Sequence, residues 1–254
     1  MQSSGNYLCF LDADDIMMPD RIAMQYEACK NNPNAIIGSN FERFPPESTQ
    51  RYSNWCNNIT PEQLYTQRFR EVTIIQPTWF YERVIWDRLG GYEPAKGLPE
   101  DLIFFLKHLE QGGKLHKVPV PLLKYRYHTT MTSSGISRKT LLSYRVQAFE
   151  RTVLRDPKWS SFMIWGCGRD GKTFYKTLSA QNQLKVVGFC DVNPNLIGTS
   201  IVLNHQTKHK IPVLHWNQMK APFVTCVAFD RYDQFETNLK SLNFIEGIDY
   251  FPLI

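Results

Sequence analysis

Apolar runs of four to eight residues, separated by polar segments rich in Gly, Pro, Asn and Asp, recur along the whole chain, with two clear helical patterns among them. Tyr7-Leu-Cys-Phe-Leu11 is an apolar run that breaks into Asp12, Asp14 and Asp15, so a strand is predicted whose C-terminal edge carries three carboxylates. The helix that follows is predicted to begin near Pro19, and the same Asp residues also suit turns and its cap. Leu102–Gln111 reads as a helix with Leu102, Phe105, Leu106 and Leu109 on one face, closed by Gly112-Gly113. Val118–His128 reads as a strand that delivers Arg126 and His128. Further on, the strand Ser161–Trp165, a glycine-rich turn, the helix Lys172–Ser179 and the strand Lys185–Asp191 follow in order. Ile211–Leu214, Phe223–Phe229 and a helix near Phe235–Leu242 complete a small sheet. Alternation of strands and helices predicts an α/β fold.

The acidic cluster is the sharpest chemical feature. Like charges this close repel, and a divalent cation with oxygen ligands would relieve the repulsion. The planar fork of Arg126 suits a phosphate, and a neutral His128 imidazole suits a metal. Glu100 and Asp101 open the helix at 102–111, where the helix dipole stabilises a carboxylate, so a purely structural role is also open to them. In the second half, Gly166-Cys-Gly168-Arg-Asp-Gly171 lies between a strand and a helix, with Asp191 twenty residues after the last glycine and ending the next strand. That layout is the one a dinucleotide-binding turn needs, with Asp191 placed for a ribose. No hydride-acceptor site or catalytic His pairing accompanies it, which makes a dehydrogenase a distant reading; a scaffolding role and nucleotide binding stand level.

Four motifs in order, Leu11-Asp-Ala-Asp-Asp15, Pro77–Tyr92, Pro99-Glu-Asp101 and Tyr125-Arg-Tyr-His128, resemble those of the family-two glycosyltransferases of the GT-A type over about residues 3–150. The resemblance implies Mn²⁺ or Mg²⁺ on the diphosphate of a UDP-sugar donor, with Asp14 as metal ligand and Asp12 as assisting ligand or ribose contact. It implies Asp101 as the base that takes the acceptor proton, or Glu100 if the register is off by one. The fold expected is the C-terminal part of a GT-A domain over residues 1–157, followed by a small Rossmann-like α/β domain over 158–254. Members of the family begin with an earlier βαβαβ half, so roughly 60–100 residues of the pattern are expected to be missing. The chain is accordingly expected to be a fragment, an alternative product or an incomplete gene product. The motifs joined to the small Rossmann-like tail are similar to members that transfer galactose to queuosine in tRNA, which implies UDP-galactose as donor and tRNA as acceptor.

Charge bears on the acceptor. Residues 102–158 carry eleven basic side chains against three acidic ones, a net +8 in a chain that is +5 overall, so the remainder is net acidic. A basic segment beyond the expected base suits an anionic acceptor such as nucleic acid, and equally a solvated helix face on residues 137–155. With 43% hydrophobic and 13% aromatic residues, the chain has material for packed cores, which excludes disorder. Six scattered cysteines without a Cys-x-x-Cys pair predict reduced, buried thiols rather than a zinc site or disulfide framework. No run is long enough to cross a bilayer, so a cytoplasmic protein with no membrane partner is expected. Two rival functions stay open: a transferase for a glycan or lipid acceptor, and a catalytically inactive product serving as a binding module.

Overall fold

A computed structural model describes residues 3–93, 95, 97–128, 135–227 and 234–254. The chain divides into two compact units, one comprising residues up to 68 together with 72–140, the other 69–71 together with 141–254. The boundary expected at 157/158 lies past the helix Arg138–Thr152, whose apolar face belongs to the second unit: Phe149 packs on Phe69, Trp159, Phe174 and Phe251.

In the first unit, five strands form a mixed sheet in the order β1-β4-β3-β5-β2. They are β1 (Tyr7–Cys9), β2 (Ile16–Met17), β3 (Ala35–Phe44), β4 (Phe80–Glu82) and β5 (Lys114–Arg126). The long strands β3 and β5 run parallel, with register shifts around Asn40, and the other pairings are antiparallel. α1 (Arg21–Asn31) follows the acidic loop, α4 (Arg83–Leu89) follows β4, and α5 (Glu100–Glu110) precedes β5; α2 (Gln50–Asn58) and α3 (Gln63–Thr66) lie in the β3–β4 connection. The buried face of α5 is Leu102, Phe104, Phe105, Leu106 and His108, with Leu109 only half-buried. The face is therefore wider than the expected stripe, because a helix against an aromatic core is covered on more than one side. That core is a run of rings, Phe10, Trp79, Tyr81, Trp86, Tyr92 and Phe104, with neighbouring centroids 4.9–6.4 Å apart. The buried rings Trp79, Tyr81 and Phe104 each contribute about 1.5–3 kcal/mol by leaving water, and together the six draw the ends of β1 and α5 to one place.

The second unit contains α6 (Arg138–Thr152) from Leu141 onward and a six-stranded sheet in the order β11-β10-β6-β7-β9-β8. Its strands are β6 (Phe162–Trp165), β7 (Val186–Asp191), β8 (Ser200–Val202), β9 (Lys210–His215), β10 (Phe223–Thr225) and β11 (Tyr250–Pro252). All pairings are parallel except β8 on β9. α7 (Arg169–Thr177), the short α8 (Ala180–Gln183) and α9 (Gln234–Ser241) are its other helices among the described residues. β10 covers Phe223–Thr225 of the strand expected to reach Phe229; Ala228 and Phe229 lie outside the described residues. The sheet is larger than the small one expected, since β8 and β11 are too short to show a pattern in the sequence.

The cysteines are all free thiols, buried except for Cys9. Among the described residues, no helix is long and apolar enough to cross a membrane.

Candidate active site and glycine-rich turn

β1 ends where an antiparallel neighbour continues: the Phe10 amide donates to the Trp79 carbonyl at 2.9 Å. Beyond it the chain turns, with the Asp15 amide on the Asp12 carbonyl at 3.2 Å, and the three carboxylates take different environments. Asp12 and Asp14 are exposed, whereas Asp15 is only 9% exposed. Asp15 Oδ1 accepts the backbone N–H of Arg126 at 2.8 Å, which fixes the acidic loop to the end of β5. Its Oδ2 is buried and has no hydrogen-bond partner among the described residues. Burial pushes the Asp15 carboxyl up to about 6; the Arg126 amide opposes the shift, Asp12 and Asp14 add to it, and Arg43 opposes it.

A cation lies within electrostatic reach of this loop. Arg21, fully buried at the start of α1, donates from Nη2 to the Phe10 carbonyl at 2.7 Å and from Nε to Gln25 Oε1 at 2.8 Å. Gln25 in turn donates to the carbonyls of Thr78 (2.7 Å) and Ile37 (3.3 Å). The start of α1 thus holds the loop to β3 and to the turn Gln76–Thr78 that precedes β4. Burial lowers the Arg21 pKa, and Cys9 and Asp15 favour its charge.

Of the residues expected to hold a metal, two are in direct contact: His128 Nε2 lies 2.8 Å from Asp14 Oδ2. That hydrogen bond, followed by smaller effects including the charges of His128 and Arg126, keeps Asp14 below its ordinary value. Arg126 projects from the last position of β5, its guanidinium 5.6 Å from the Phe44 ring. Asp12 instead lies within repulsive reach of other carboxylates. Desolvation first, then the charges of Asp14 and Glu100, raise its pKa. Among the described residues, no three His, Cys, Asp or Glu side chains gather in a way that would hold a metal ion. Asp14 touches His128 and Asp12 feels the charge of Asp14, but the three do not form a closed ligand set.

Glu100 and Asp101 form the first turn of α5, where neither is buried. Asp101 Oδ1 accepts the Leu102 amide at 2.7 Å, a local bond at the helix start that leaves the carboxylate at the surface. Tyr92 belongs with them. Burial raises its phenol, and Asp101, Glu100 and Asp12 reinforce the shift; Gln76 Nε2 donates to its hydroxyl at 3.2 Å. Tyr92 and Arg21 had no assigned role at the sequence level, and Asp15 was read only as one of the acidic cluster. Tyr92 carries a faint signal, a tyrosine after Gly90-Gly91 shortly before the acid pair. Arg21 carries none, because arginine is among the residues least often buried.

The second unit assembles the glycine-rich turn. Gly166 has φ +106°, a left-handed conformation that side chains rarely adopt, and a Cβ there would meet the Cys226 carbonyl oxygen at 2.8 Å. A Cβ on Gly171 would lie 1.9 Å from the Gly166 carbonyl oxygen, so α7 can begin against the turn only with glycine there. Gly168 is the N-terminal flanking residue of α7 and is open: a Cβ on it would meet nothing within 4 Å. Asp191, expected to face a ribose, accepts the Cys167 amide on Oδ2 (2.7 Å) and the Asn193 amide on Oδ1 (2.9 Å). In this arrangement it holds the turn to the end of β7.

The basic segment is partly committed internally. Lys117 donates to the carbonyls of Cys56 (2.7 Å) and Asn57 (2.9 Å), and burial lowers its pKa to about 8. Lys107 bonds the Leu89 carbonyl, Arg145 pairs with Glu71 at 2.9 Å, and Lys158 bonds the Ile248 carbonyl at 2.6 Å. The net charge of the segment therefore overstates what an anionic acceptor could meet. α6 also buries Leu142, Val146 and Phe149, so residues 137–155 are not simply a solvated helix.

Residues 1–90 match the family model described as glycosyl transferase family 2. Over 137 residues the chain is 27% identical to an uncharacterized glycosyltransferase of Haemophilus influenzae, a match covering 52% of this chain and 45% of that protein. The chain thus spans less than half the length of the curated relative it matches. The chain is thus similar to glycosyltransferases over part of its length, and the mixed α/β architecture of the first unit is consistent with the GT-A nucleotide-sugar transferase fold that the motifs imply.

Proposed function

We propose that the first unit carries the diphosphate and acceptor side of an inverting, metal-dependent glycosyltransferase. The observation that carries this reading is the convergence on one loop of residues far apart in the chain. Asp14 meets His128, Asp15 meets Arg126, and Asp12 comes within electrostatic reach of Glu100. Asp14 and His128, with Asp12 near by, are the side chains we assign to Mn²⁺ or Mg²⁺; they do not close a ligand set by themselves, so phosphate oxygens of the donor would have to complete it. Such an ion would supply positive charge to a departing diphosphate.

The chain's own residues perform the rest. Arg126 offers a planar donor fork to phosphate oxygens. Asp101, or Glu100 beside it, takes the proton from the acceptor hydroxyl as that oxygen attacks the anomeric carbon opposite the leaving group. The exposure of this turn lets an acceptor reach it. Tyr92, held by Gln76, lies within electrostatic reach of both acids.

Within this reading the donor is a UDP-sugar, narrowed by the motif resemblance to UDP-galactose, and the acceptor is the queuosine base of a tRNA. The basic segment supports a tRNA through phosphate contacts. The internal bonds of Lys107, Lys117, Arg145 and Lys158 favour a second reading, an uncharged glycan or lipid acceptor.

Calorimetric titration of UDP into the chain, with Mn²⁺ and then with EDTA, tests the reading. A saturable binding component that is present only with Mn²⁺ and is lost in Asp14→Asn supports it; absence of any Mn²⁺-dependent component overturns it for this chain. A tRNA carrying queuosine, bound more tightly than the same tRNA without it, supports the narrower acceptor. Equal or absent binding favours the glycan or lipid alternative.

A further inference from the structure

Within the second unit, a cavity of about 300 Å³ opens at the C-terminal edge of the parallel sheet. Trp165, Gly166 and Gly168 line it at the end of β6, Asp191 at the end of β7, Val227 beyond β10, and Phe235 and Asn238 from α9. A crevice at the carboxyl ends of parallel strands is where open α/β sheets bind ligands, and the volume is at the lower end for small-molecule sites.

Three further observations give the cavity a chemistry. The internal packing of the protein accounts for Gly166 and Gly171, but nothing among the described residues crowds Gly168. Its bare backbone faces the cavity at the start of α7, where close approach of a ligand is possible. No side chain caps that helix, so its first-turn N–H groups and the positive end of its dipole are presented to an anion. The one acidic side chain of the turn, Asp170, is paired with Arg169 Nε at 3.2 Å. Finally, Asn238 is only 8% exposed and lines the cavity with half of its carboxamide unused. Oδ1 accepts from Gln234 Nε2 at 2.9 Å, whereas Nδ2 has no partner among the described residues. That amide is not sealed from the cavity, so it is open to donate to a ligand there. The remaining wall, Trp165, Val227 and Phe235, is apolar and aromatic, suited to a base or sugar face.

We propose that this cavity binds a phosphorylated nucleoside, with the phosphate on the Gly168–Gly171 turn and the nucleoside against Trp165, Phe235 and the Asn238 amide. The site needs no metal and is independent of the assignment of the first unit.

The test is titration of ADP, UDP and inorganic phosphate into the full chain in EDTA, followed by calorimetry and by Trp165-sensitive fluorescence. Saturable nucleotide binding is expected, at least tenfold tighter than that of inorganic phosphate. A Cβ at Gly168 meets nothing within 4 Å and the residue has an ordinary φ of −77°, so Gly168→Val is expected to fold as the parent does and to weaken nucleotide binding in EDTA at least tenfold. The same variant leaves Mn²⁺-dependent UDP binding unchanged, which separates failure of this site from failure of the first. Absence of nucleotide binding in EDTA, or equal affinity in the parent and Gly168→Val, overturns the proposal. Phosphate binding as tightly as nucleotides overturns the nucleoside assignment.

Discussion

The Arg126 amide donates to Asp15 Oδ1 at 2.8 Å across 111 positions of sequence, joining the acidic loop to the end of the longest strand. Through it Asp14 and His128 are presented side by side, because His128 lies two residues past the bonded amide and Asp14 one residue before the bonded carboxylate. Asp15 is thus a positioning residue for the assigned donors. Asp15→Ala should destabilise the first unit by about 1 kcal/mol through loss of a charge-assisted bond. Asp15→Asn keeps an acceptor and removes a buried charge, so it should be no less stable than the parent. Urea midpoints of the three proteins check this ordering.

Arg21 makes a second prediction. It is fully buried and serves both the Phe10 carbonyl and Gln25. Arg21→Met keeps most of the volume but leaves those two acceptors without their donor. A loss of about 2–4 kcal/mol is expected, together with weaker Mn²⁺-dependent UDP binding. Chemical denaturation monitored by circular dichroism and calorimetry read the two effects separately.

His108 predicts a pH dependence. It is fully buried in α5, with Nε2–H donating to the Lys114 carbonyl at 3.0 Å and Nδ1 3.4 Å from Arg88 Nη2. Burial, and then the Arg88 charge, lower its pKa to about 4, opposed by the bond to Lys114. An unfolded histidine titrates near 6.5, so between these values the unfolded chain binds the proton and the folded one does not. Stability of the first unit should fall as pH drops from about 6.5 to 4, by roughly 3 kcal/mol. His108→Gln can still donate to Lys114 and should flatten that slope. Denaturation midpoints measured across the range decide it.

The glycine turn yields a contrast in stability alone. Gly171→Ala drives a Cβ into the Gly166 carbonyl oxygen, whereas Gly168→Ala meets nothing. The first should cost the second unit about 2–4 kcal/mol or prevent its folding. The second should change stability by less than about 0.5 kcal/mol. Thermal unfolding of the two variants gives the comparison directly.

Most strands and helices were legible because their signals are local. Tyr7–Leu11, Leu102–Gln111 and Lys185–Asp191 each carry their period within one short segment, and all three coincide with observed elements. The wider buried face of α5 was not legible, since His108 is polar by type and becomes interior only through Lys114 and Arg88. The commitment of Lys117 to the Cys56 and Asn57 carbonyls was equally hidden. A lysine's partner sixty residues away leaves no mark on its own neighbourhood.

Residue type and spacing alone established that three carboxylates end an apolar strand, that an acid pair opens a helix, and that glycines frame a strand-to-helix turn. Those are consequences of backbone geometry and side-chain chemistry within a few residues. Which carboxylate is buried, which one meets His128, and what occupies the oxygens of Asp191 were decided only by the tertiary structure. Each depends on distant segments sharing a core, where burial and a neighbour's amide set the charge and direction of a side chain.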